Sequence, residues 1–230
     1  TAQAEEYVLL DILFEKSQYQ QINSIDIDST FVFQKGSPLQ VQVPGFDDIM
    51  GDKLTAFAPN TTGIPYEKGG QSRAMEIIKQ LYDIGNIFID VKNPSVTSTT
   101  FHAFAKTELG YRDISGETNI VLDDIIDTSL TISTRGQLGG GKLDALMHGI
   151  AQLKQYIFSD NYHIEKAITH AARAAYMAAI IRTGAKTINR FADPMEIKDW
   201  TITNQQYNKL NKLKKSNPEA FYNWFNALTL

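Results

Sequence analysis

The change of hydrophobic period at Phe46 constrains this chain more than any other feature. Up to residue 45 the apolar residues come in short, β-rich runs, "EYVLLDILF", "STFVF" and "LQVQV", punctuated by the turn formers of "KGSP" and "VPG". From Phe46 they recur at three and four through Ile49, Met50, Leu54 and Phe57, with Lys53 inside the same stripe, and the pattern stops at Pro59. That spacing predicts a helix of about three turns. After the turn chemistry of "NTTGIPYEKGG" a longer helix is predicted through "SRAMEIIKQLYDIGNIFI". Ser72 is its candidate N-cap, and Ile77, Ile78, Leu81, Ile84 and Phe88 form its apolar side.

Beyond "KNPS" the pattern stays helical, with segments near 95–108, 118–132, 142–158, 162–183 and 204–228 separated by Gly, Pro and Asn breaks. The alanine-rich "HAARAAYMAAIIR" reads as a helix that packs closely on a neighbour. The expected class is therefore α/β in the α+β sense: a small mixed sheet with flanking helices over residues 1–93, followed by a mainly α-helical region over residues 94–230.

Composition narrows the chemistry. The chain has 230 residues, 43% of them hydrophobic, enough for a substantial core. Cysteine is absent, so there is no disulfide framework, thiolate zinc site or cysteine nucleophile, which fits a cytoplasmic protein. The longest apolar runs, "YVLLDILF" and "AAYMAAII", fall short of the ~20 residues that a membrane span needs. The net charge of -4 is unevenly spread: residues 1–100 carry 7 Lys+Arg against 13 Asp+Glu, and residues 101–230 carry 15 against 13. Cations would favour the first part. The run Lys209, Lys212, Lys214 and Lys215 reads as a solvated helix face.

Asp11 stands alone as a charge in "YVLLDILF", a strand pattern apolar on both faces. An ionised carboxylate there needs a partner, a hydrogen-bond network or a metal ion, and satisfaction by turn amides is the plainer alternative. Lys53, between Ile49 and Phe57 one turn away on either side, either snorkels to solvent or aims its ammonium into a cleft to hold phosphate. Glu76, Lys79, Gln80 and Asp83 form a polar face on the following helix.

Three other patterns lead elsewhere. "GQLGGGKL" has the spacing of a phosphate-cradling G-x-x-x-x-G-K loop, but Leu143 stands where a magnesium-ligating Ser or Thr is required, so the glycines read as a turn between two helices. His102, His148, His163 and His170 have no metal-binding spacing and read as ordinary polar or core residues. Asp26 and Asp28 in "SIDIDST" have Asp-x-Asp spacing without a Gly-Ser helix start before them, and read as a decoy.

"GDKLTAFAPNTTGIPY" followed by "EIIKQLYDIGNIF", with "LLDILFE" ahead of both, resembles the AbiEii/AbiGii nucleotidyltransferase toxin family of the DNA polymerase β-like superfamily. Asp11 matches the family's strand aspartate, Lys53 its "xKLxA" helix, and Lys79 with Asp83 its "[KR]DxxD" helix. Gln80 departs from that last motif, where the family has an acid. The resemblance implies transfer of a nucleoside monophosphate from a nucleoside triphosphate to an acceptor such as RNA or tRNA. It implies Mg2+ or Mn2+ held at Asp11, the triphosphate held by Lys53 with Lys79 in support, Asp83 as the group that orients Lys53, and a cognate antitoxin as partner. The superfamily's Gly-Ser turn and metal-binding Asp-x-Asp pair precede the strand aspartate, and nothing in this sequence precedes Asp11 in that way. The expectation is a later portion of a longer protein, catalytically incomplete alone. The alternative is a non-catalytic module that binds nucleotide, RNA or protein.

Overall fold

The computed structural model describes residues 12, 14–28, 33 and 35–230. Most of the strands expected over "EYVLLDILF" and "STFVF" lies outside these residues. What is described before Phe46 is one antiparallel hairpin, β1 (Ile22–Asp26) with β2 (Gln40–Pro44), with Ile22 opposite Pro44 and Asp26 opposite Gln40. Pro44, which has no N–H to donate, ends the ladder. A second hairpin joins β3 (Glu67–Lys68) to β4 (Gln71–Ser72) through Gly69 and Gly70, whose φ values of 60° and 73° are those of a tight primed turn. Among the described residues the expected mixed sheet is thus two separate two-stranded antiparallel hairpins.

The helices follow the period read from the sequence. They are α1 (Phe46–Ala56), α2 (Ala74–Ile87), α3 (Pro94–Tyr111), α4 (Asn119–Ser133), α5 (Leu143–Leu153), α6 (Ile164–Thr183), α7 (Leu213–Ser216) and α8 (Pro218–Thr229). Ser72 lies in β4 instead of capping α2, although its hydroxyl accepts a hydrogen bond from the Ala74 N–H at 3.3 Å. The single helix expected over 204–228 is broken. A 3-10 turn (Asn208–Lys212) leads into α7, and Asn217 takes φ -153°, ψ 77° because the ring of Pro218 excludes helical backbone from the residue before it. The Asn217 side chain then caps α8 by accepting from the Ala220 N–H at 3.2 Å.

Helix α6 is the centre of the helical region. Its alanines at 167, 171, 172, 174, 175, 178 and 179 are buried, and with no side chain beyond Cβ they let α2, α4 and α8 pack close to it. It ends at Gly184, which is left-handed at φ 70°. On the other side α1 packs against α3 and α2 through Met50, Leu54, Phe57, Ile77, Leu81 and Phe101, all of them fully buried. Apolar side chains from both sides of residue 93 share one continuous core, closed at the far end by Trp224, whose indole N–H donates to Ser133 Oγ at 2.9 Å. Among the described residues no helix is long and apolar enough to cross a membrane.

Candidate functional site

The apolar stripes of α1 and α2 press together and leave their polar edges side by side at one rim. There Lys53, in the last turn of α1, reaches across to α2. Its Nζ lies 2.9 Å from Asp83 Oδ2 and donates to Gln80 Oε1 at 3.1 Å. Lys53 and Asp83 are each 26% exposed, so the pair is sheltered but not sealed. An ammonium has three N–H donors, and two are engaged here. The third, with the remaining exposed surface, is open to an anion. Gln80 serves the pair as an uncharged acceptor.

Lys79 lies next to this pair in sequence but is exposed, and among the described residues it makes no hydrogen bond or ion pair. Asp11 lies outside the described residues. Asp83 is committed to Lys53 and is not a free metal ligand, and among the described residues no group of three or more His, Asp or Glu side chains could hold a metal ion. The described residues therefore do not supply a donor set for Mg2+ or Mn2+.

One residue before Lys53, Asp52 lines a cleft of about 1010 Å³ bounded by α1, α3, the start of α2 and the β3–β4 hairpin. Tyr19 donates its hydroxyl to Asp52 Oδ2 at 3.0 Å, and its ring meets that of Phe104 on α3 at 5.1 Å between centroids. Burial pushes the Asp52 carboxyl up, against the opposing pull of the Tyr19 hydrogen bond and of Lys53. Burial and the neighbouring Asp52 also raise the Tyr19 phenol. Arg112 closes one end of the cleft, paired with Glu108 and donating to the Gly63 carbonyl at 3.2 Å, and Arg73 lies at another end, bonded to Glu76 at 2.9 Å. None of Tyr19, Asp52, Arg73, Phe104 and Arg112 stands out in the sequence. They come from four separate segments that only the fold brings together.

The loop after α1 that forms part of this cleft is held from below. Asp124 of α4, 6% exposed, accepts hydrogen bonds from the Asn60 N–H at 2.8 Å, the Asn60 side-chain amide at 2.7 Å and the Thr61 hydroxyl at 2.9 Å. Burial raises its carboxyl while these donors lower it. Nothing in the sequence marks this anchor, because Asp124 reads there as one more polar residue on a helix.

The glycine run is a turn between α4 and α5, as its missing hydroxyl implies. Its amides are already occupied: Gly140 N–H donates to Asp127 Oδ2 at 2.7 Å and Gly141 N–H to Thr131 Oγ1 at 2.9 Å. A carboxylate of this chain sits where a phosphate loop would hold its ligand. The histidines have ordinary roles: His102 shares a hydrogen bond with Thr118, the His163 ring accepts from the Glu165 N–H at the start of α6, and His170 is buried. Asp26, at the end of β1, and Asp28 beyond it are exposed.

Comparisons of the chain with protein-family models, with curated proteins and with solved structures find no match.

Proposed function

We propose that this chain carries the triphosphate-holding part of a nucleotidyltransferase toxin-like protein, which moves a nucleoside monophosphate from a nucleoside triphosphate to an acceptor such as RNA or tRNA. One observation carries the reading: Lys53, matched to one motif of the family, and Asp83, matched to another, come from different helices and meet at 2.9 Å. The partnership fits the chemistry. Phosphoryl transfer depends on positioning and charge neutralisation, and a lysine held by a carboxylate presents a compact positive charge in a fixed place. In this reading Mg2+ or Mn2+ belongs to Asp11, a cognate antitoxin is the protein partner, and the compartment is the cytoplasm.

The second reading is a non-catalytic module that binds nucleotide, RNA or protein with the same Lys53–Asp83 pair. Two measurements separate them. The chain titrated with each nucleoside triphosphate in the presence of Mg2+ should bind at least one of them, and Lys53→Ala should weaken that binding at least tenfold without unfolding the protein, as expected for the loss of a charge-assisted contact of about 1.5–3 kcal/mol. Undiminished binding by the variant removes Lys53 from the site. Transfer of an α-labelled nucleotide to RNA in the same mixture then identifies an enzyme, and binding without transfer identifies the module.

A further inference from the structure

The cleft next to Lys53 is absorbed by none of the roles assigned so far, and its lining is specific. One wall is aromatic, the Tyr19–Phe104 pair, and Ile64 and Pro65 add apolar surface. Lys53 does not itself line the cleft, but it is held by Gln80 and Asp83 on the polar face of α2 whose first members, Arg73 and Glu76, do line it. The cations in the cleft are not equally committed. Arg112 is held by both Glu108 and the Gly63 carbonyl. Arg73 is bonded through Nη1 to Glu76 alone, and its Nε is buried with no acceptor. Its Nη2 is neither buried nor bonded among the described residues, and an arginine edge left uncommitted is suited to a phosphate or carboxylate. Lys68, on the hairpin, adds an exposed charge at the open side.

We propose that this cleft is a nucleobase subsite: a base bearing phosphate stacks on the Tyr19–Phe104 wall, with its phosphates between Arg73 and Lys53. Aromatic faces take any base, and Ile64 and Pro65 add apolar surface to the same lining. At about 1010 Å³ the cleft holds a whole nucleotide with space to spare. The same chemistry has two sources, a free nucleotide or the end of a single RNA strand. The inference rests on Lys53 as the triphosphate-holding residue, and the two are separable because one concerns the phosphates and the other the base.

The test is a set of binding titrations on the intact chain with three probes: ATP, inorganic tripolyphosphate and a short single-stranded oligoribonucleotide. Phe104→Leu keeps apolar bulk on α3 and removes the ring, Arg73→Gln removes the guanidinium, and thermal melting establishes that each variant is folded. Phe104→Leu should weaken ATP or the oligoribonucleotide about tenfold, in the range of one lost stacking contact, and leave tripolyphosphate unchanged. Arg73→Gln should weaken every probe that the wild-type chain binds. Loss confined to ATP identifies a mononucleotide subsite, and loss confined to the oligoribonucleotide identifies a strand-end subsite. Unchanged binding of both by folded Phe104→Leu, or neither ATP nor the oligoribonucleotide binding the wild-type chain more tightly than tripolyphosphate, overturns the subsite and leaves Lys53 in place. Tripolyphosphate and ATP binding that are both indifferent to Lys53→Ala overturn the triphosphate reading instead.

Discussion

Asp48 has no exposed surface, yet its carboxylate is fully used. One oxygen accepts from the Gln20 N–H at 2.8 Å and from the Thr100 hydroxyl, and the other accepts from the Gln21 N–H at 2.9 Å. It fastens the segment that carries Tyr19 onto α1 and α3. Asp48→Ala should therefore destabilise the protein by about 3 kcal/mol, because several donors are left without an acceptor. Urea denaturation measures the loss, and fast exchange of the Gln20 and Gln21 amides would locate it. Lys53 and Asp83 present the opposite case. At 26% exposure the ion pair contributes little to stability, at most about 1 kcal/mol. Asp83→Ala should accordingly lower the melting midpoint by no more than about 2–4 °C, while weakening triphosphate binding by releasing Lys53 from its fixed position. A large fall in the midpoint with unchanged binding would make the pair a structural strut.

Helices α2 and α6 meet at a point where nothing larger than hydrogen fits. A Cβ built on Gly85 would lie 1.9 Å from the ring of His170, and the ring cannot retreat because Tyr82 and Tyr162 flank it. On the outside of the same junction Arg173 donates to the Gly85 carbonyl at 2.5 Å, while Arg190 donates to the Phe88 and Val91 carbonyls at 2.6 and 2.8 Å, so two guanidinium groups satisfy the end of α2. Gly85→Ala should destabilise by about 3 kcal/mol or more through overpacking and should loosen α2, which carries Gln80 and Asp83. Gly110, exposed near the end of α3 with open space around its Cα, is the control: Gly110→Ala should stabilise by about 0.5–1 kcal/mol. Denaturation midpoints of the two variants decide the matter. The sequence made the helices legible because their apolar residues keep a 3.6-residue period, and the meeting of Lys53 with Asp83 was expected from a resemblance of motifs. The close approach at Gly85 and the break at Asn217 were less so. A glycine inside a helical pattern carries no record of the neighbour it admits, and a short lysine-rich stretch before a proline reads as continuous helix until the preceding residue is seen to be extended.

The buried core also determines how the whole molecule responds to acid. His170 is enclosed between α2 and α6 with Nδ1 lacking any acceptor, and burial, helped by Arg173 and Lys166, pushes its pKa down to about 3 against the pull of Asp160. The native state therefore keeps His170 neutral where the unfolded chain, titrating near 6.5, already binds a proton. Because the unfolded state holds more protons, stability falls as pH drops from about 6.5 towards 3, by up to about 1.4 kcal/mol per pH unit from this residue alone. Asp52 and Asp124 act in the opposite direction. Burial raises their native values, so the native state gains protons before the unfolded chain does, and each of them favours folding as the pH falls through the carboxylate range. Between about pH 6.5 and 5 His102, whose value burial also lowers, acts in the same direction, so His170 is isolated by comparison with a variant that lacks its ring. Stability measured by urea denaturation across that interval should decline in the wild-type chain. In His170→Phe, which fills nearly the same space beside Gly85 without a titrating ring, the decline should be shallower by close to one proton. Parallel slopes for the two proteins would place the acid sensitivity at another residue and would mean that the α2–α6 junction tolerates a charged imidazole.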